Sequence, residues 1–270
     1  MLTVKLSAFK TYGRVVWQLI KTDLAAFRKN LINSAIDSTI YIVLIVASMA
    51  YVMPMLGTTT EYGPFVAVAA IPSACLFEMY PLTVQLVADI RGERLISYRL
   101  TLPLPTSFVF VAKALAYAIR VSVNAAVGAI AGIAILMAGG RFSTTFFSPL
   151  EVVLICIATV LFTGFFSIFT VSLVKNMDRI GSVWSRTIYP LWFLGGSTFS
   201  WQVSNNFSET LGIISLANPV LYVMEGMHAA TLNPNDYLNF WLCLGMTLLF
   251  TMLFGYVGIK RLKKQLNWVS

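Results

Sequence analysis

The chain predicts an all-α membrane protein, and three observations carry that expectation. Hydrophobic residues fill 58% of the 270 positions and charged residues only 11%, with a mean hydropathy of +0.79. A soluble domain of this length could not cover so much apolar surface with so few charges. Several apolar runs reach the roughly 18–20 residues that a helix needs to cross a bilayer. The runs lack period-2 alternation, and backbone in hydrocarbon must be paired within helices or a closed barrel, so helices are expected. The predicted architecture is six transmembrane helices, an N-terminal interfacial amphipathic helix, and a re-entrant or outer helical excursion before the last span, all within one membrane domain covering 1–270.

The elements follow in chain order. Residues 8–30 place Val15, Val16, Leu19, Ile20, Leu24 and Phe27 on one helical side, with Arg14, Lys21, Arg28 and Lys29 among the polar positions. That is the pattern of a helix lying in the membrane interface; a plain cytoplasmic lead-in is the alternative. The first thirty residues hold no uninterrupted apolar core and no small-residue cleavage site, so no signal peptide is expected there. Span 1 runs from about Ser34 to Leu56, and span 2 from about Pro64 to Val87, carrying Pro72, Glu78 and Pro81. Span 3 covers about Phe108 to Met137 and stops at Gly139-Gly140; span 4 covers about Leu150 to Val174. The next apolar stretch, TIYPLWFLGGSTFS (187–200), holds fourteen residues, about 21 Å as a helix and short of a roughly 30 Å core. LGIISLANPVLYVMEGMHAA (211–230) is moderately apolar but broken by Asn218-Pro219 and Glu225; together with its flanks it gives the excursion, 201–236. The last span, about Tyr237 to Ile259, ends in KRLKK.

Lysine and arginine set the orientation. Sixteen of the nineteen fall in 1–33, 88–107, 175–186 and 260–270, and only Arg141 falls in a segment expected outside. Basic loops stay in the cytoplasm, so both termini and these loops are expected there. The net charge of +8 is accounted for in the same way, and no basic, aromatic-interleaved domain suggests nucleic acid.

Catalytic chemistry finds little to build on. Cys75, Cys156 and Cys243 each lie alone in an apolar run, as small buried hydrophobes do. His228 is the one histidine, so neither a histidine-based metal site nor a Ser-His-Asp triad is expected. No G-x-x-x-x-G-K-[ST] occurs, so no nucleotide-binding P-loop is present. No catalytic or metal residue is therefore nominated.

Polar residues inside the spans are better candidates, because ionisable groups there face a bundle interior or water. Lys113, Tyr117, Arg120, Asn124 and Gly128 share one side of span 3. They either line a cavity or leave Lys113 and Arg120 to snorkel toward the headgroups. Glu78 is either a cavity group or the partner of Arg120, so Glu78, Tyr117, Arg120 and Asn124 form the candidate translocation cavity. Gly128 and Gly132 form a G-x-x-x-G that allows close helix packing, within the chain or between copies. Trp192, Phe193, Phe199 and Trp201 fit an interfacial aromatic belt.

The segment RGERLISYRLTLPLP (91–105) interrupts this apolar sequence with three arginines and a glutamate, yet keeps Leu95, Ile96, Leu100 and Leu102 as apolar anchors. With FVAVAAIPSACLF before it, VFVAKAL after it, and LGIISLANPVLYVMEGMHAA near the end, the order of parts resembles the membrane subunit of ABC-2 type exporters. The family's first loop carries a basic-acidic run, a leucine pair, a proline and a lysine, matched here by Arg91, Glu93, Arg94, Leu100, Leu102, Pro103 and Lys113. Leu95-Ile96-Ser97 stands where the family has Gly-Thr. The resemblance implies that 88–107 is a coupling loop resting on a separate ATP-binding subunit, which would hold ATP and magnesium; this chain itself needs no cofactor. It also implies an outer gate at Asn218, Pro219, Glu225 and His228, pairing with a second copy or a homologous permease, and a hydrophobic or lipid-linked substrate exported across a bacterial inner membrane. A stand-alone secondary transporter or channel is the competing reading.

Overall fold

The computed structural model describes residues 2–57, 59, 62–91, 96, 104–140 and 146–266, with the backbone alone for 2–11. Among the described residues every regular element is helical. In chain order they are α1 (Leu2–Arg28), α2 (Leu31–Met55), α3 (Tyr62–Arg91), α4 (Thr106–Ala138), α5 (Pro149–Leu173), α6 (180–197), α7 (Trp201–Phe207), α8 (Glu209–Ser215), α9 (Pro219–Thr231) and α10 (Phe240–Leu266). Five of them, α2, α3, α4, α5 and α10, are long and apolar enough to cross a membrane, and the bent pair α8–α9 passes the same test when taken together. The all-α membrane class expected from the sequence is what the structure shows.

α1 buries Ile20 and Phe27 and exposes Lys21 and Arg28. Ile20 packs against Ala112 and Ala116 of α4, whose small side chains let the two helices approach. Contacts advance in step along both helices, from Tyr12 beside Phe108 to Phe27 beneath Arg120. α2 continues up α4, seating Ile42 against Gly128 and Gly132. The G-x-x-x-G is therefore used within the chain.

Prolines shape two of the spans. Pro54 has no N–H for the carbonyl four residues back, and a π turn at Ser48–Val52 precedes it. α3 is interrupted at Glu78, three residues before Pro81, whereas Pro72 sits inside an unbroken helical stretch. α5 and α10 form the tightest seam. Gly255 and Gly258 of α10 admit Phe165 and the backbone at Phe169. Buried hydroxyls on this pair, at Thr159, Thr163, Ser167, Thr170, Thr247 and Thr251, each donate to the carbonyl four residues back. Their polarity is thus satisfied without a partner across the seam.

α6 differs from expectation. It begins at Ile180, inside the segment expected as a polar loop, includes a π turn at Trp184–Ile188, and kinks at Gly195-Gly196, where Gly196 takes φ 88°. Ile180 and Trp184 are buried, so the polar letters around them are an exposed face and not a free loop. α6 descends antiparallel to α3: Trp184 lies beside Tyr80, the Trp192 indole donates to Ser73 Oγ at 2.8 Å, and Tyr62 donates to the Thr198 carbonyl at 3.1 Å. Trp192 thus packs in a helix seam, and the Trp201 indole donates to the Gly212 carbonyl. Both indoles of the expected aromatic belt therefore have acceptors within the protein.

The bundle has two ends. At one, Arg91 donates to the Val174 carbonyl at 3.0 Å and to Gln265, and Gln265 donates to the Ser172 carbonyl. At the other, Tyr62 meets Thr198 and the Ser148 N–H donates to the Ala230 carbonyl. The stretch α7–α9 leaves and returns at this second end, with α8 and α9 bent by 97° at 216–218.

Packing at Gly258 gives a direct test. An added Cβ would approach the Phe169 backbone to 2.8 Å, whereas Gly181 has nothing within 4 Å. Gly258→Leu is expected to destabilise the purified protein by about 1–3 kcal/mol, with Gly181→Ala near neutral. Thermal unfolding in detergent reads both.

Candidate functional site

The charged groups within the bundle collect between α1, α3 and α4, beside the break in α3. Lys113, 4% exposed, sits where the second turn of α4 meets its neighbours. Its ammonium lies 3.2 Å from Asp23 of α1 and 3.4 Å from Asp89 of α3. Two turns further along α4, Arg120 donates from Nε to Glu78 Oε1 at 3.0 Å and pairs with the same oxygen through Nη2 at 2.8 Å. Its Nη1 reaches Gln85 at 3.4 Å, and the Phe27 ring lies 4.6 Å from its guanidinium carbon. Ser34 of α2 donates to Glu78, and Asn124 donates to Ser34 Oγ at 2.7 Å. Four helices are thereby held together through polar contacts.

Of the two alternatives for Glu78, the structure takes the ion pair with Arg120. Snorkelling does not describe Lys113, which is buried between two carboxylates. A cleft of about 240 Å³ opens between α1, α3 and α4, lined by Asp23, Phe27, Gln85, Lys113, Tyr117 and Arg120 among others. Of the four candidate cavity residues, Tyr117 and Arg120 line this cleft. Glu78 binds Arg120 from behind, and Asn124 is buried against Ser34.

Asp23, Asp89, Ser34 and Gln85 belong to the cluster but were not singled out from the sequence. Asp23 was one acid on the polar face of an amphipathic helix. The signal that could have found it is charge matching: two cations buried on one face of α4 need nearby carboxylates.

At the opposite end, Asn218 caps α9 by accepting from the Val220 N–H at 3.0 Å and donates to the Leu191 carbonyl at 2.7 Å. Pro219 takes the first helical position, where a missing N–H costs nothing. Glu225 is fully buried and accepts from the Trp201 N–H at 2.8 Å and the Leu238 N–H at 3.1 Å, the entry and exit of the excursion. His228 packs against both Phe65 and Tyr237, which also lie near one another, with Nε2 at 3.1 Å from the Phe65 carbonyl. Glu225 and His228 each have their own partners and do not bond one another. Arg91 joins the other end of the bundle as described; Glu93, Arg94, Leu100, Leu102 and Pro103 lie outside the described residues. Among the described residues no group of three or more histidines, cysteines and carboxylates could hold a metal ion.

The Glu78–Arg120 pair predicts a stability signature. Arg120→Leu leaves the largely buried Glu78 carboxylate without its ion-pair partner and is expected to cost about 1–3 kcal/mol. Glu78→Gln with Arg120→Gln removes both charges and should recover most of that loss. Equal melting temperatures for Arg120→Leu and the parent chain would show the pair to be energetically idle.

Comparison with known proteins places this arrangement. A family model described as ABC-2 type transporter matches residues 14–232, from within α1 to the residue that closes α9. A comparison with curated proteins gives no match. The family match spans most of the 270 residues, including the polar cluster and the excursion: the chain belongs to the ABC-2 type transporter family, as a membrane domain of an ABC permease.

Proposed function

We propose that this chain is the membrane-spanning subunit of an ATP-driven exporter, with ATP and magnesium held by a separate nucleotide-binding subunit. Two copies, or one copy and a homologous permease, form the pathway. The cargo is a hydrophobic or lipid-linked molecule, and the complex resides in a bacterial plasma membrane. α1 serves as the interfacial helix, the Arg91 end of the bundle faces the cytoplasm, and α7–α9 form a re-entrant outer gate. The basic residues Lys260, Arg261, Lys263 and Lys264 near the end of α10 support that orientation. The sequence carries no P-loop, so nucleotide chemistry has to come from elsewhere.

The observation that carries the reading is the clamp at Arg91. This residue is the last of α3, where the charged loop begins, and its guanidinium bridges the end of α5 and Gln265 of α10. At the loop's other stem, Lys113 ties α4 to α3 through Asp89 and to α1 through Asp23. A push on the loop is thus shared among five helices. That is the mechanical requirement for converting an event on a soluble partner into rearrangement of a bundle. The polar network around Glu78 adds interior contacts that link α2, α3 and α4.

Pull-down of the native ATP-binding partner, combined with a transport assay, tests this. Leu100→Asp and Leu102→Asp force a charge into an apolar contact and should lose both partner and transport. Arg91→Gln removes the hydrogen bonds from the loop stem to α5 and α10, so transport should fall. Full partner recovery and full transport in the two leucine variants would overturn the coupling role.

A further inference from the structure

Glu225 is a fully buried carboxylate with no lysine or arginine beside it among the described residues. Ion pairs between described residues involve only Lys113 and Arg120, away from α9. The carboxylate is met instead by two backbone N–H groups, one on each oxygen. Trp201 donates to Oε1 at 2.8 Å and Leu238 to Oε2 at 3.1 Å. Trp201 opens α7 and Leu238 stands just ahead of α10. One side chain on α9 therefore ties the start of the excursion to the segment that follows it. A second, exposed tie runs from the Gln202 side-chain amide to the Asn235 carbonyl at 3.0 Å.

This double acceptance depends on the charge of the group. An ionised carboxylate only accepts, through lone pairs on both oxygens, whereas the protonated acid carries an O–H on one of them. That O–H needs an acceptor of its own, and an N–H pointing at it offers none. A proton on Glu225 therefore leaves one of the two N–H groups without its partner, which is costly in a buried place. The longer bond, to Leu238, is the one to yield. Leu238 belongs to the connection 232–239, whose Pro234, Asn235 and Asp236 are already exposed, so water can replace the lost acceptor as the segment lifts. The other titratable groups around Glu225 have their own places. On α9, Tyr222 donates to the Leu216 carbonyl and His228 has Nε2 on the Phe65 carbonyl. The elements packed against α9 contribute Tyr62 of α3, Glu151 and Cys156 of α5, Tyr189 of α6, Asp236 and Tyr237 of the connection, and Cys243 of α10. None of these is a cation that would keep the carboxylate ionised.

We propose that Glu225 is a proton-operated latch on the excursion. Ionised, it holds Trp201 and Leu238 together and keeps α7–α9 closed on the bundle. Protonated, it frees the segment at Leu238 and loosens the excursion at its exit. The inference rests on the outer-gate reading of α7–α9 given under the proposed function, in that the proton comes from the outer compartment. The latch itself requires neither an ATPase partner nor a cargo, so it can fail while the exporter reading stands, and the reverse.

The test is amide hydrogen exchange on the full, unlabelled chain in a neutral maltoside detergent, read by mass spectrometry in a mildly acidic and a mildly alkaline buffer. Exchange times are scaled so that an unprotected amide exchanges equally in both. Protection of the peptide holding Leu238 should be several-fold lower in the acidic buffer, with peptides from the middle of α5 and α10 unchanged. Glu225→Gln keeps the size of the side chain but replaces one acceptor oxygen with a donor. This variant should show the low protection at Leu238 in both buffers. Equal scaled protection at Leu238 in the two buffers overturns the proposal, as does a Glu225→Gln chain that keeps the pH dependence of the parent. Acid loosening that extends equally through α5 and α10 also overturns it, because the effect then belongs to the whole bundle. If Glu225→Gln does not fold, the two-buffer comparison on the parent chain decides alone.

Discussion

An arginine and a glutamate face each other within a largely apolar bundle, and much of the architecture answers to that fact. A charge in such surroundings is expensive unless paired and hydrogen-bonded. Arg120 and Glu78 meet because Pro81 interrupts α3 at the glutamate, so the side chain is offered at a break in the helix. Ser34 and Asn124 complete the shell and bring α2 into register with α3 and α4. The same demand repeats at Lys113, where two carboxylates from different helices share one ammonium. α1, which by composition could have lain anywhere on the surface, is fixed to α4 by that ammonium and by Ile20 on two alanines.

Small residues do the corresponding work on the apolar side. Gly128 and Gly132 receive Ile42, and Gly255 and Gly258 receive the face of α5 around Phe165 and Phe169. Lipid tails are as apolar as leucine, so helices in a membrane gain little by hiding hydrocarbon from hydrocarbon. Close backbone approach and satisfied hydroxyls give the specificity instead. This explains why a chain so uniformly hydrophobic still has one arrangement of its helices.

The all-α membrane class and the approximate limits of the five long spans were readable in the sequence, since length and apolar runs are local properties. α6 was misread because its first turns carry polar letters on one face, and a run of apolar residues is a poor detector of a helix that buries only Ile180, Trp184 and Ile188 on its other face. Arg120, Asn124, Glu225 and His228 stood out as polar residues in apolar surroundings. Glu78 was an open choice as the partner of Arg120, but Asp23 beside Lys113, Ser34 beside Asn124 and the backbone groups at Trp201 and Leu238 that meet Glu225 did not stand out, because they come from distant parts of the chain. Pairing across such separations is set by tertiary packing, which no local pattern encodes. The tryptophans show the limit in another way: the same residue serves a membrane boundary or an internal hydrogen bond, and only the neighbour decides.

The way Asn218 is held has a consequence for how the protein is made. Its amide donates to a carbonyl of α6 while its carbonyl oxygen starts α9, and Glu225 on α9 takes its two N–H donors from Trp201, the first residue of the excursion, and from Leu238, just past its end. α9 itself packs Val220, Val223 and Met224 against residues of α3, α5 and α6. The excursion has hydrogen bonds of its own, but Asn218 and Glu225 also need the Leu191 carbonyl and the Leu238 N–H, so its final seating requires those three helices in the membrane and the residues up to Leu238 synthesised. During biosynthesis it must wait at the surface while the rest of the bundle assembles. The order of translation, with the excursion placed near the end of the chain, matches the order in which its sockets become available.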